Sequence, residues 1–175
     1  ADARSLLLAY AEKSDLDHLA LTEYGLTRLV VTPADNTVIP PVEAVYESDE
    51  RLRERCILSF DGMNTAGSAN AYRYFTLSAD GRVDGIKVRS EPENPYLLDV
   101  VITQVDSING KASEELVSIV QAALDPDHVR PVGDRPTVKS SLATNYQIEA
   151  VLYVGKNAED ALLLDAANIR LDKYI

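Results

Sequence analysis

Apolar positions recur at helical spacing in the first half of the chain. The first 13 residues are rich in strong helix formers and predict a helix of about three turns. A second helix is predicted from Ser14, which forms a capping-box pattern with Asp17, to Gly25, which suits a left-handed C-terminal cap. Two further helices are predicted by apolar stripes, formed by Leu52, Cys56 and Phe60 after Ser48 and by Ala71, Tyr72, Phe75 and Ala79.

After Gly81 the pattern changes to short runs in which apolar and polar residues alternate, which indicates β-strands. Together with two apolar helical stripes these runs give the order ββαββα. The strands are predicted at residues 85–90, 96–105, 136–141 and 146–155, and the helices are capped at Ser113 and at Asn157 with Asp160. The first two strands are separated by a Pro/Asn turn and predict a hairpin.

The predicted fold class is therefore α+β, with a helical part over residues 1–81 and a sheet-and-helix part over residues 82–175. Residues 32–47 have no periodicity and are rich in proline, which fixes φ and removes a hydrogen-bond donor. They predict an extended arm. A segment of this length without regular structure is unusual in a compact domain and is often used for contacts.

The amino-acid composition argues against some classes of binding partner. The chain has 175 residues, 46% of them hydrophobic, and a formal net charge of -11. This charge argues against binding to nucleic acids or to anionic membranes, which require basic surfaces. The apolar run at residues 6–10 is far shorter than the about 20 residues of a spanning helix. Cys56 is the single cysteine, so no intrachain disulfide forms, and its place in an apolar stripe predicts a buried thiol.

The stretch DHVRPVGDRPTV is the strongest candidate for a built site. Arg130, Asp134 and Arg135 have the spacing of a local ion-pair network between prolines, which predicts a rigid structural corner. An anion-binding loop is the alternative. The two histidines, His18 and His128, are far apart in sequence, and no spacing typical of a metal, nucleotide or nucleophile site occurs. We therefore predict no catalytic residue, no metal and no cofactor.

Two groups of residues are candidates for contact with a partner. Leu6, Leu7, Leu8 and Tyr10 cover more of a helix than one packed stripe requires, so at least one leucine is expected to be exposed or covered by a second copy. Arg51 and Arg55 lie in the charged run ESDERLRER. That run predicts a solvated helix face, or alternatively a polar face against a neighbouring subunit.

Five stretches, in the same order along the chain, resemble the baseplate J-like family: AEKSDLDHLA, PPVEAVYESDERLRERCILS, TAGSANAYRYFTLSADGRV, DHVRPVGDRPTVK and NYQIEAVLYV. The chain departs from the family pattern at two places. Pro136 replaces an apolar residue, which predicts a later start of its strand. The turn SINGKAS has a single glycine. Family members extend further at both ends, so the chain is expected to be the central portion of a longer protein.

The resemblance implies a structural protein of the baseplate wedge in contractile phage tails and related injection machines. Such proteins join neighbouring wedges, form a ring around the tail hub and rearrange on contraction. The implied partners are other wedge proteins or a second copy of the chain. The implied location is the virion tail baseplate, after assembly in the cytoplasm of the bacterial host. The alternative is a hydrolase or glycan-binding accessory domain of a tail.

Overall fold

The computed structural model describes residues 6–63, 67–144, 147–153 and 160–172. It divides the chain into two compact units, Ala1–Ala143 and Thr144–Ile175. Helices and strands occur together, which confirms the α+β class. The boundary predicted between residues 81 and 82 lies inside the first unit, at a point where the flanking helix and strand pack against each other.

The helices of the first unit are α1 (Lys13–Tyr24), α2 (Asp49–Leu58), α3 (Ala69–Ala79) and α4 (Glu114–Leu124). Its strands are β1 (Val30–Thr32), β2 (Val45–Tyr46), β3 (Val83–Ser90), β4 (Leu97–Gln104) and β5 (Arg135–Ser140). Three helices begin at a serine, as local sequence dictates. The Oγ atoms of Ser48, Ser68 and Ser113 each accept from the backbone N–H three residues later, at 3.1–3.3 Å.

The larger sheet has the order β3-β4-β5. β3 and β4 form the predicted antiparallel hairpin, and β5 lies parallel to β4 after a crossover through α4. In β4 the alternation is strict, because Leu98, Val100 and Ile102 are buried while the residues between them are not. α3 and α4 cover the buried face and complete the main core.

The predicted N-terminal helix is wrong in the residues that the structure describes, because residues 6–10 form a turn. Lys13 has a positive φ of 49°, which ends any helix that approaches it from the N-terminal side. Its backbone N–H donates to the carboxylate of Asp49 at 2.9 Å. Tertiary contacts therefore override the helix propensity of this segment. Residues 1–5 lie outside the described ranges.

The predicted capping box at Ser14 is also wrong, because α1 already begins at Lys13 and Glu12 is its N-cap. Asp17 binds Arg28 instead of a free backbone N–H. The predicted C-terminal end is confirmed. Gly25 has φ 66°, and its N–H donates back to the last turn of α1, as a left-handed cap requires.

A smaller core joins α1 to α2. Leu16 and Ala20 of α1 pack with Leu52 and Cys56 of α2, and all four are fully buried. Phe60, the third member of the predicted stripe, is 61% exposed because α2 ends at Leu58. Phe60 stacks edge-on against Tyr24, with 5.8 Å between ring centroids.

The burial of Cys56 predicts an unreactive thiol. Loss of hydration raises the pKa of Cys56, which reduces the thiolate fraction at neutral pH. We expect a thiol reagent to label the native protein at least about a hundredfold more slowly than the urea-unfolded chain, since labelling requires opening of the α1–α2 core. Comparable rates in the two states would contradict this expectation.

β5 begins at Arg135, so the later start predicted from Pro136 is wrong. The Arg135 N–H donates to the carbonyl of Tyr96 at 2.7 Å. The nitrogen of Pro136 therefore faces the free edge of the sheet, where no hydrogen-bond donor is needed. On that edge the side-chain amide of Gln121 donates to the Pro136 carbonyl and accepts from the Val138 N–H, at 3.1 and 2.9 Å. Gln121 therefore protects the edge of the sheet.

The predicted arm is a folded excursion rather than a fully extended segment. β1 and β2 pair antiparallel at its base, and Asp35 and Val42 exchange both backbone hydrogen bonds at 2.9 Å. Asp35 also accepts from the N–H and the hydroxyl of Thr37. The peptide bond between Ile39 and Pro40 is cis, and Ile39 at the tip is 98% exposed.

The second unit contains α5 (Asp160–Asp172), which confirms the last predicted helix; its predicted cap Asn157 lies outside the described residues. The strand predicted at residues 146–155 is wrong for residues 147–153, which have no regular secondary structure. An alternating sequence forms a strand only where a partner edge is available. No helix within the described ranges combines the length and apolar character that crossing a membrane requires.

Candidate functional site

The corner at residues 127–138 is held by a contact that sequence spacing did not reveal. The carboxylate of Asp134 accepts from the hydroxyl of Tyr72 in α3 at 2.8 Å. Tyr72 is 1% exposed, and burial together with the Asp134 carboxylate raises the pKa of its hydroxyl. The corner is therefore tied to the main core through Tyr72, which lies 62 residues earlier in the chain.

Both corner arginines bind main-chain carbonyls, and the carboxylates paired with Arg130 are not the predicted Asp134. Arg130 donates to the carbonyls of Asp125 and Asp134 at 2.8 and 3.3 Å. Its ion pairs are with the exposed carboxylates of Asp125 and Asp127, at 3.6 and 3.9 Å. Arg135 donates to the carbonyls of Val132 and Asp134. These contacts favour a structural corner over an anion-binding loop.

We expect Asp134→Ala to lower the free energy of unfolding by about 1 to 2 kcal/mol, because it leaves the buried Tyr72 hydroxyl without its acceptor. The cost stays below that of a fully buried pair because Asp134 is only half-buried. Urea unfolding measures the change. Tyr72→Phe is the control, and the double variant should lose less than the sum of the two single losses. Strictly additive losses would contradict the proposed pairing.

The N-terminal turn is defined as residues 6–11. Leu6, Leu7 and Tyr10 are 74%, 55% and 61% exposed, whereas Leu8 is half-buried and Ala11 is buried. Three large apolar side chains within five residues form a patch of the kind that marks an interaction site. The candidate leucines are thus displayed on a turn rather than on a helix.

This turn is fixed to α2 by an anchor that no pattern in the sequence indicates. Arg53 donates from Nε to the carbonyl of Leu8 at 2.8 Å and from Nη2 to the carbonyl of Ala11 at 2.7 Å. A guanidinium that binds two carbonyls restricts the orientation of the turn. A partner that docks on Leu6 and Leu7 would therefore meet a surface ordered in advance.

Arg51 and Arg55, the other predicted interface residues, lie inside the first unit. They are 9% and 3% exposed, so neither guanidinium belongs to an open surface of this chain. Arg55 pairs with Glu47, which is 4% exposed and also accepts from the backbone N–H of Leu29. The sequence pattern predicted a solvated face for this charged run. Helical periodicity does not indicate the backbone carbonyls and the glutamate that accept hydrogen bonds from these arginines.

Arg28 completes a polar network at the base of the arm. Its three guanidinium nitrogens donate to the Asp17 carboxylate, the Glu47 carbonyl and the Asp49 carboxylate, each at 2.7 Å. Burial opposes its charge, but the hydrogen bonds from the two carboxylates outweigh that effect, so the pKa of Arg28 is raised. The network joins α1, the arm and the start of α2, and it therefore fixes the position of the arm's base.

Two further apolar surfaces were missed by sequence reasoning. In the arm and at its base, large apolar side chains are exposed at Val30, Val38, Ile39, Val42, Val45 and Tyr46. In the second unit they are exposed at Ile148, Val151, Leu152, Tyr153, Leu162, Leu163, Leu164 and Ile169. The signal in the sequence was their density, which was not used because the arm was predicted only as an extended segment and the residues of the second unit were assigned to a strand and a helix. Among the residues described, no three His, Cys, Asp or Glu side chains are placed to hold a metal ion.

Comparison with known proteins identifies relatives of this chain. The family model described as "Baseplate J-like N-terminal domain" matches residues 1–35. The chain is also 43% identical over 173 residues to a protein named "Baseplate protein J" of Escherichia phage P2. That alignment covers 99% of this chain and 56% of the relative, so the chain spans little more than half of the relative's length.

Proposed function

Because the chain belongs to the baseplate J-like family, we propose that it is a structural component of the baseplate of a contractile phage tail or a related particle. Its place is the virion tail baseplate, reached after assembly in the cytoplasm of the bacterial host. The support is the relationship to a baseplate protein along almost the whole chain. The role is mechanical, and no catalytic step is assigned to any residue.

The finer proposal is that the chain joins neighbouring wedge subunits around the tail hub through the N-terminal turn. The observation that carries it is the display of Leu6, Leu7 and Tyr10 on a turn that Arg53 fixes to α2. Burial of a leucine side chain at an interface contributes about 1.5–3 kcal/mol. Because the turn is ordered before binding, less conformational entropy is lost on association. The partner is another wedge protein; a second copy is the alternative occupant.

Leu7→Asp tests this proposal in the full-length protein. We expect it to weaken co-purification with the adjacent tail proteins at least about tenfold, since a buried carboxylate at the interface loses hydration without gaining a partner. Stability should be unchanged, because Leu7 is exposed in the chain. Quantitative pull-down after co-expression measures the complex, and thermal unfolding of the isolated variant checks the fold.

Ile108→Asp is the matched control. Ile108 lies in the loop between β4 and α4 and is 87% exposed, so this variant places the same charge on an exposed apolar residue outside the turn. We expect it to assemble like the unmodified protein. The proposal for the turn is wrong if Leu7→Asp also assembles normally, or if both variants lose the complex to the same extent. Size-exclusion chromatography of the chain alone distinguishes self-association from capture of a different tail protein.

A further inference from the structure

One edge of the larger sheet is left open at β3. The N–H of Ser141 donates to the carbonyl of Ile102 at 2.9 Å, which places the backbone groups of the even-numbered residues of β4 toward β5. The odd-numbered residues of β4 therefore bond to β3, where they lie opposite Lys87 and Arg89. The N–H and C=O groups of the alternate β3 residues face away from the sheet, namely those of Ile86, Val88 and Ser90.

This edge differs from the opposite edge of the sheet, which Gln121 covers. Gln121 binds the outward carbonyl of Pro136 and the outward N–H of Val138 on β5. The outward groups of β3 between residues 86 and 90 have no hydrogen-bond partner within the described part of the chain. The elements that pack most extensively against β3 are β4 and α3, and α3 lies on a face of the sheet. An uncovered strand edge is a template for a further strand.

The side chains along this edge select the strand that fits it. Ile86 and Val88 pack against the main core, whereas Lys87 and Arg89 are exposed on the opposite face of the sheet. The carboxylate opposite Arg89 belongs to Asp99, which is already bound by a lysine of β5 at 2.6 Å. An added strand must therefore continue the apolar face and present a negative charge to the face that carries Lys87 and Arg89.

Residues 147–153 have both properties. Ile148, Ala150 and Leu152 alternate with other residues, and Glu149 lies between the first two. Ile148 and Leu152 are 43% and 52% exposed, and the segment has no regular secondary structure in the chain itself. Because residues paired across strands share a face, contact of these apolar side chains with the core face of β3 places Glu149 on the face of the two cations. A slip by one residue would reverse both matches, so only registers that keep the alternation fit.

We propose that residues 147–153 of a second copy of this chain add to the open edge of β3 as a further strand, with Glu149 beside Lys87 and Arg89. Within one chain, the described residues leave both the edge and the segment without a strand partner. Pairing of β3 with β3 of a second copy fits less well, because Lys87 of one copy would lie opposite Arg89 of the other. The segment forms a strand when the edge of another copy supplies its partner.

This contact is separate from the proposed role of the N-terminal turn. It uses β3 of one copy and the second unit of another, and neither of these includes Leu6 or Leu7. Leu7→Asp should therefore leave self-association through the sheet edge unchanged. The failure of either proposal leaves the other standing.

Analytical ultracentrifugation of the full 175-residue chain over a range of concentrations measures self-association. We expect Glu149→Arg to raise the dissociation constant at least about tenfold, because it changes an attraction to two cations into a repulsion. Combining it with Lys87→Glu and Arg89→Glu should restore the constant to within about threefold of its original value, since the charges are then exchanged. Glu43→Arg is the control, because it reverses the charge of an exposed glutamate in the arm and should have no effect.

Amide hydrogen exchange on the same chain locates the contact. The N–H of Val88 faces the open edge, whereas the N–H of Arg89 faces β4 and is bound within the chain. We expect the protection of Val88 to rise with protein concentration, and Arg89 to be protected at every concentration. Glu149→Arg should remove the rise at Val88 without changing the protection of Arg89.

Absence of self-association at millimolar concentration overturns the proposal. Association that Glu149→Arg leaves intact, or that the exchanged charges do not restore, also overturns it. Protection of Val88 that is independent of concentration excludes a second copy as the occupant of the edge. Loss of association in Leu7→Asp assigns the contact between copies to the N-terminal turn instead.

Discussion

Replacing Glu47 with alanine is expected to lower the free energy of unfolding by about 3–5 kcal/mol, the cost of breaking a buried ion pair by removal of one partner. The carboxylate of Glu47 accepts from the guanidinium of Arg55 and from the backbone N–H of Leu29. Both members of the ion pair are almost completely buried. Without Glu47, Arg55 keeps the Thr27 carbonyl at 3.2 Å and the Ser78 hydroxyl at 3.3 Å, but its charge has no buried counter-ion.

Glu43→Ala is the matched control, because Glu43 is an exposed glutamate of the same arm. We expect its stability to change by less than about 0.5 kcal/mol, as for most surface substitutions. Urea unfolding followed by far-ultraviolet circular dichroism measures both variants. A loss below about 1 kcal/mol for Glu47→Ala would show that the pair contributes no more than a surface ion pair does, and the account of the arm's base would then be wrong.

Replacing Gly81 with alanine is expected to destabilise the first unit by about 3 kcal/mol, at the upper end of the cost of overpacking a tightly packed site. A Cβ at this position would overlap the backbone carbonyl oxygen of Val30 and lie 2.9 Å from its carbonyl carbon. Backbone atoms of β1 cannot rotate away as a flexible side chain would. Relief of the overlap therefore requires the arm to separate from the start of β3.

Gly133→Ala is the control for the conformational effect of alanine. A Cβ at Gly133 meets no atom within 4 Å, so the substitution reduces only the entropy of the unfolded chain. We expect stability to be unchanged or to rise by up to about 1 kcal/mol. If Gly81→Ala behaves like Gly133→Ala in urea unfolding, the close approach of β1 to Gly81 is not required for the fold.

Some elements were predictable because their causes are local. Ser48 and Ser113 begin helices by accepting a hydrogen bond from three residues ahead, and Gly25 ends one because glycine adopts a positive φ without steric cost. The β3–β4 hairpin likewise follows from alternation on either side of a turn. In each case the residues that decide the structure lie within a few positions of one another.

The candidate site was predictable only in part. Exposed leucines in the N-terminal turn followed from an excess of apolar residues, but the turn itself depends on Arg53, whose acceptors lie 45 and 42 residues earlier in the chain. The corner was identified from its prolines and charges, whereas its link to the core is the hydroxyl of Tyr72. A hydrogen bond across such a separation has no signature in the spacing of either partner.

The sequence alone determined the order of most elements, the caps at Ser48, Ser113 and Gly25, the α+β class and the family. These follow from local propensity, from periodicity and from motifs in a fixed order. Only the tertiary structure decided that Arg51 and Arg55 point inward, that residues 6–10 form a turn and that residues 147–153 form no strand. The physical reason is that a buried charge, a fixed turn and a strand each require a partner, and the presence of that partner is decided by residues distant in the chain.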